Sequence, residues 1–241
     1  MPSTTGYVIQ ERDVPPRGDG DTATVRVTID ASVGCERLEQ RVLRFGPGVS
    51  REQTLHAAEE VLYVVAGTGT LRLDGAEHAL EPDTGAYVAD GETWSVENPG
   101  PDELVLVAVR APAGEPPDPA RRKVIVRYAD QPALPASPDR EFRYLVNEDA
   151  GCLDVTQFVG VIPPGKAPLH SHTYDEVVYV VEGDGFLHLR GTRTPLTAGS
   201  CIHLPPLVMH CLENVGTTPM RVLGVFHPSG DPASRAAVAN E

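Results

Sequence analysis

Apolar residues along the chain come in short, β-branched runs broken by Gly, Pro and Asp. TQFVGVI runs into PPG, EVVYVV into EGDG, FLHLR into GT, CIHL into PP and RVLGVF into HPSG. Short, evenly spaced, Val-rich segments with this punctuation predict the strands of an all-β sandwich or barrel. No stretch carries a helical period, and EEVLYVV is β-branched, Tyr-bearing and too short to favour a helix. Helix is expected only in short pieces, such as the tail after Pro232.

The pattern is written twice. HAAEEVLYVVAGTGTLRLDG from His56 matches HTYDEVVYVVEGDGFLHLRG from His172 at an offset of 116, and the register holds through Asn98/Asn214 to Gly114/Gly230. Upstream the offset is 117, pairing Gly34-Cys35 with Gly151-Cys152, Gln40 with Gln157 and Pro47-Gly48 with Pro164-Gly165. One inserted residue between Gly48 and His56 accounts for the change. Such a long shared register marks a duplication, and a repeat of this kind sets the whole architecture. After ELVLVAVRA the chain turns to PAGEPPDPARR, whose composition suits an exposed linker. The expected domains are therefore 1–115 and 116–241.

Composition narrows the function. The net charge of −14 and only two lysines, Lys123 and Lys166, argue against nucleic-acid binding, which needs clustered cations. No apolar run approaches the roughly 20 residues that would cross a bilayer, so no membrane partner is expected. The start MPSTTGYVIQERD lacks a signal-peptide pattern, and a cytoplasmic location follows by default. Cys35, Cys152, Cys201 and Cys211 form no CxxC pair and are read as reduced thiols.

The chemistry concentrates in the second copy. His170 and His172 lie two apart, so on a strand both imidazoles point to one face. Glu176 follows after Thr173-Tyr174-Asp175, a tripeptide suited to re-aim the chain, and His210 comes after Pro205-Pro206. Three neutral imidazoles and a carboxylate suit one divalent metal ion and leave positions open for a ligand. Fe(II), Mn(II), Co(II), Ni(II), Cu(II) and Zn(II) all remain candidates, although zinc more often prefers a closed tetrahedron.

These residues carry a family resemblance. GKAPLHSHTYDEVVYVVEG, from Gly165 to Gly183, resembles the first cupin motif, and GSCIHLPPLVMHCLEN, from Gly199 to Asn214, resembles the second. The departures are one residue missing between Gly165 and His170 and Leu207 in place of the second motif's glycine; both fall in turns. The resemblance implies two tandem double-stranded β-helix (jelly-roll) barrels, a bicupin of the kind that includes quercetin dioxygenases, with the metal on His170, His172, Glu176 and His210. It favours Fe(II) or Mn(II) and specifies reaction type weakly.

The first copy reads as degenerate. His172 maps to His56 and Glu176 to Glu60, but His210 maps to Trp94, and His170 to Thr54 in the match nearest the insertion. Trp94 is expected to fill the core, and no metal is expected there. Asn98 and Asn214 persist in both copies and so read as turn-forming. Gln157 reads as structural for the same reason, Cys211 as facing away from the metal, and the facing of His203 is left open.

The resulting expectation is a metal-dependent enzyme on a small organic molecule, with Glu176 available to shuttle a proton. On family frequency a dioxygenase is favoured over an isomerase, lyase or decarboxylase; the alternative is a non-catalytic small-molecule-binding cupin. A monomer and a homodimer are both compatible with the sequence.

Overall fold

The computed structural model describes residues 6–18 and 22–235. Every regular element among them is a strand or a three-residue 3-10 turn, as the alternation of short apolar runs and breakers predicts. The tail after Pro232 is described only to Arg235 and is irregular there; the rest of that helix expectation lies outside the described residues. Among the described residues, no helix is long and apolar enough to cross a membrane.

Each repeat forms a large and a small antiparallel sheet that close on each other. In the second repeat, Ser200–Leu204, Asp175–Glu182, Met220–His227, Thr156–Ile162, Arg140–Val146 and Leu134–Ser137 lie side by side in the large sheet. The small sheet runs Gly165–Lys166, His210–Asn214, Gly185–Leu189, Thr192–Leu196. The first repeat copies this order, from Thr84–Val88 and Ala58–Ala66 through Leu104–Pro112 and Glu39–Phe45 to Ala23–Ile29.

The large sheets explain why their strands read as continuous apolar runs. Each is covered on both faces, the condition under which alternation disappears. In Ala58–Ala66, Leu62 and Val64 face the first barrel's interior, while Val61 and Tyr63 join a separate core cluster. In Asp175–Glu182, Val178 and Val180 face the second barrel's interior, while Val177 and Tyr179 join that same shared cluster. The shared cluster draws Val42, Val107, Val159 and Val225 from both repeats, so it is the seam between barrels. Gly85 shows how tight the seam is. A Cβ there would stand 2.8 Å from Leu145 Cβ and from Gln157 Oε1, and Gln157 Nε2 donates across the seam to the Leu62 carbonyl at 3.3 Å. Gln157 is therefore a seam residue.

Edge strands cross between the two repeats. Tyr7–Gln10 of the first repeat pairs with Ser200–Leu204 of the second, Tyr7 opposite His203. Reciprocally, Ile125–Arg127 of the second repeat pairs with Thr84–Val88 of the first, Val126 opposite Gly85. Each large sheet thus borrows its edge strand from the other repeat. The physical gain is a covered edge on both sheets, where backbone donors and acceptors would otherwise stand unpaired.

Candidate metal centre

Three imidazoles meet at the mouth of the second barrel. His170 lies beyond the named strands, yet its backbone pairs with His210: His170 N donates to the His210 carbonyl at 3.0 Å, and His210 N to the His170 carbonyl at 2.9 Å. This isolated bridge sets the two side chains beside each other, with ring centroids 4.6 Å apart. His172 completes the group, its centroid 4.9 Å from His170 and 5.3 Å from His210. One ring nitrogen from each lies within 4.8 Å of the others. Glu176, first inward-facing residue of its strand, brings Oε2 to 3.7 Å from His172 Nε2. All four residues placed on the metal by spacing are therefore in one place.

The rings are also pre-set for ligation. His170 Nδ1 faces the Pro168 carbonyl at 3.1 Å and His210 Nδ1 the Val208 carbonyl at 2.8 Å. A carbonyl only accepts, so both Nδ1 atoms carry the proton, which leaves each Nε2 with a free lone pair. His172 Nδ1 lies 2.9 Å from the Tyr174 hydroxyl, which in turn donates to the Asp231 carbonyl at 3.1 Å. With its own proton committed, the hydroxyl accepts from Nδ1–H and fixes the same tautomer. Tyr174 also stacks on Phe226 at 4.1 Å. Sequence reasoning treated Tyr174 only as part of a turn; its role depends on a partner, Asp231, far along the chain.

Electrostatics fit a cation. Burial, then the neighbouring His210, pushes His170 down to about 4; burial, then His170, pushes His172 down to about 3. His210 is lowered by burial as well. All three rings are neutral at ordinary pH, as metal ligation requires. Burial pushes Glu176 up to about 8 against the opposing pull of Arg235, and its Oε2 is buried with no hydrogen-bond partner. An orphaned buried carboxylate beside three free imidazole lone pairs is a site short of positive charge.

Above it opens a cavity walled by Phe142, Phe158, Val178, Leu204, Leu212 and Phe226. Arg140 and Arg235 are the cations in its wall. Neither arginine carried a sequence signal, because both lie outside the motifs. Leu207, which stands where the motif has glycine, holds the left-handed conformation at φ 62° with its side chain exposed. Its N–H donates to the His172 carbonyl at 2.7 Å, so the turn keeps its function without glycine.

The first barrel has put arginines where the second has this cavity. Glu60 is ion-paired with Arg41 and, at 3.5 Å, with Arg110. The repeat offsets carry these arginines to Phe158 and Phe226, whose rings lie 4.9 Å apart. Phe158 fits because its ring lies on Gly224, where a Cβ would come within 2.2 Å of it. Trp94 is fully buried in the first barrel's core, and His56 is exposed. One assignment needs correction. Trp94 pairs with Gln53, as His210 pairs with His170, so the counterpart of His170 is Gln53 and not Thr54. The inserted residue therefore falls after Gln53.

Other histidines lie elsewhere. His203 alternates with the inward Ile202 and Leu204 and so faces the seam, and His188 faces outward, 2.7 Å from Glu213 Oε2. Asn98 and Asn214 each hold a turn, donating to two carbonyls while accepting from Gly100 N and Gly216 N at 2.8 Å.

Comparison with known proteins agrees with this fold. The Thermotoga maritima oxalate-binding protein is 33% identical over 67 residues, which is 27% of this chain and 55% of that protein. This chain spans about half the length of the curated relatives it matches. Among solved structures, Ylba from E. coli superimposes with a TM-score of 0.79 at 12% identity, over 95% of this chain and 93% of that one. Bacillus subtilis oxalate decarboxylase superimposes with a TM-score of 0.73 at 15% identity, over 94% and 79%. The model of the Cupin domain matches residues 41–110 and again 158–226, so the chain belongs to the cupin family, and it is a bicupin.

Proposed function

We propose that this bicupin is a metal-dependent enzyme whose second barrel acts on a small organic acid. The observation that carries the reading is the convergence of His170, His172, His210 and the unpartnered Glu176 carboxylate beneath an apolar cavity walled by Arg140 and Arg235. His170, His172 and His210 would hold a divalent ion through Nε2, and Glu176 would complete the set. The bound ion would supply Lewis acidity and open positions for a substrate oxygen or O2.

The chain's own residues supply the rest. Arg140 and Arg235 offer a carboxylate two planar donors, and the phenylalanine wall excludes water from the remainder of the substrate. Tyr174 holds His172 in its ligating tautomer. Within this reading the finer proposal is a dioxygenase. A second reading, a lyase or a binding protein for small dicarboxylates, is supported by the oxalate-binding relative and the two arginines.

The test is turnover by Fe(II)- and Mn(II)-loaded protein with a panel of oxalate, hydroxy acids, β-diketones, catechols and flavonols, followed with an oxygen electrode. O2 uptake that needs His210 supports the dioxygenase, and turnover that persists without O2 supports the lyase. Tight binding of an acid with no turnover would overturn the enzyme reading.

A further inference from the structure

At the seam, the duplication assembles two equivalent trios of side chains, and the two have diverged. In one, Cys152 of the second repeat meets Glu59 and Tyr87 of the first. The Tyr87 hydroxyl donates to Glu59 Oε2 at 2.8 Å, and the Cys152 thiol to the same oxygen at 3.7 Å. The repeat offsets carry Cys152 to Cys35, Glu59 to Asp175 and Tyr87 to His203. That second trio also assembles, now with the thiol from the first repeat and the acid and imidazole from the second. One donor atom from each lies within 4.8 Å of the others.

In the first trio both donors converge on Glu59 Oε2, leaving only that carboxyl's Oε1 buried without a partner, whereas in the second an imidazole nitrogen is orphaned. His203 Nε2 lies 3.1 Å from Asp175 Oδ1, but its Nδ1 is buried without a partner on a residue that is 0% exposed. Such an orphan is costly and calls for a missing partner. His227 stands opposite Asp175 on the neighbouring strand, and its Nδ1 is likewise buried and unpartnered.

We propose that Cys35, Asp175 and His203 form a second cation site, for a borderline-soft divalent ion of the Zn2+ class, which ties the two barrels together. The donor chemistry selects the ion: a thiolate, an imidazole and a carboxylate are the ligands zinc takes, whereas the barrel site has no sulfur. Charge balances as well. Binding releases the Cys35 proton to solvent, and the thiolate and the Asp175 carboxylate then neutralise a doubly charged ion in a buried place. A surface groove bordered by Arg37, Glu39 and Pro112 reaches Cys35 and provides entry. A Cys-His-Asp nucleophile is the competing use of these residues. Against it, Cys35 is 1% exposed and burial pushes its thiol up to about 12, the opposite of an activated thiol.

The test is Co2+ titration of the chelator-treated full chain, followed by absorbance. Thiolate-bound Co2+ shows an intense near-ultraviolet charge-transfer band that a histidine-carboxylate site lacks. Two equivalents are expected, one with the band. Cys35→Ser and His203→Tyr each remove the band and one equivalent, and His203→Tyr copies the hydrogen-bonded trio of the other repeat, so it keeps a folded control. Cys152→Ser keeps both equivalents. His210→Ala removes only the bandless equivalent; if that equivalent is missing while the band stands, the barrel-site reading fails and this one holds. No band in the wild-type chain, or a band that survives both Cys35→Ser and His203→Tyr, overturns the proposal.

Discussion

Tyr174 lies parallel to His172, ring centroids 4.8 Å apart, with its hydroxyl 2.9 Å from that ring's Nδ1. Because the hydroxyl's proton goes to the Asp231 carbonyl, the contact fixes which nitrogen of His172 is free. Groups that orient a metal-bound imidazole in this way are typically worth about 10- to 100-fold in metal affinity. Tyr174→Phe keeps the stacking on Phe226 and removes only the hydroxyl. It is expected to weaken metal binding by at least about 10-fold with little change in melting temperature, measured by competition with a chelator. An unchanged affinity would remove Tyr174 from the site.

Arg235 belongs to the cavity wall and not to the donor set. Arg235→Ala should therefore leave metal content unchanged while raising KM for an acidic substrate. Loss of one charged hydrogen-bonding partner costs about 1.5–3 kcal/mol, or roughly 10- to 100-fold. An ester of the same acid should be insensitive to the change. Equal effects on acid and ester would show that Arg235 does not bind the carboxylate.

In the first barrel, Arg41 is 8% exposed and its partner Glu60 is 0% exposed. Removing one member of a buried pair leaves an uncompensated charge, at a cost of about 3–5 kcal/mol. Arg41→Ala should lower the melting temperature by roughly 6–20 °C, given the size of the chain, and leave the metal stoichiometry of the second barrel intact. Calorimetry and metal analysis on the same sample check both halves. A neutral substitution would mean that Arg110 alone can hold Glu60.

Glu59 predicts a pH dependence at the seam. Burial pushes its carboxyl up to about 7 from the model-compound value of 4.5, against the Tyr87 hydrogen bond, which pulls it down. The folded state therefore keeps a proton that the unfolded chain has lost. No penalty exists below pH 4.5, where both states are protonated; stability then falls as pH rises through the window from 4.5 to 7. The full cost is about 3 kcal/mol. Glu59→Gln keeps an acceptor for Tyr87 and should flatten that part of the stability–pH curve in denaturant titrations. A mutant curve parallel to the wild type would show that Glu59 ionises normally.

Much of this molecule is written locally. Runs such as EVVYVV and RVLGVF, with Gly and Pro between them, encode strands because face alternation and turn chemistry act over a few residues. The duplicated register then doubles every strand, and the spacing of His170, His172, Glu176 and His210 locates the donor set. His170 and His172 nonetheless lie outside the named strands, and the backbone bridge of His170 to His210 aligns them, not a strand's alternation.

Other features depend on which faces meet, and no local rule carries that. Val61 and Leu62 are equally apolar, yet one lines the seam and the other a barrel interior, so periodicity alone could not say that His203 faces Cys35 and not the metal. The pairing of Trp94 with Gln53, the borrowed edge strands, Arg41 and Arg110 on Glu60, and Tyr174 between His172 and Asp231 all join residues distant in sequence. Their contacts exist only once the sheets have closed and the barrels have docked, since it is burial that makes each charge need its partner.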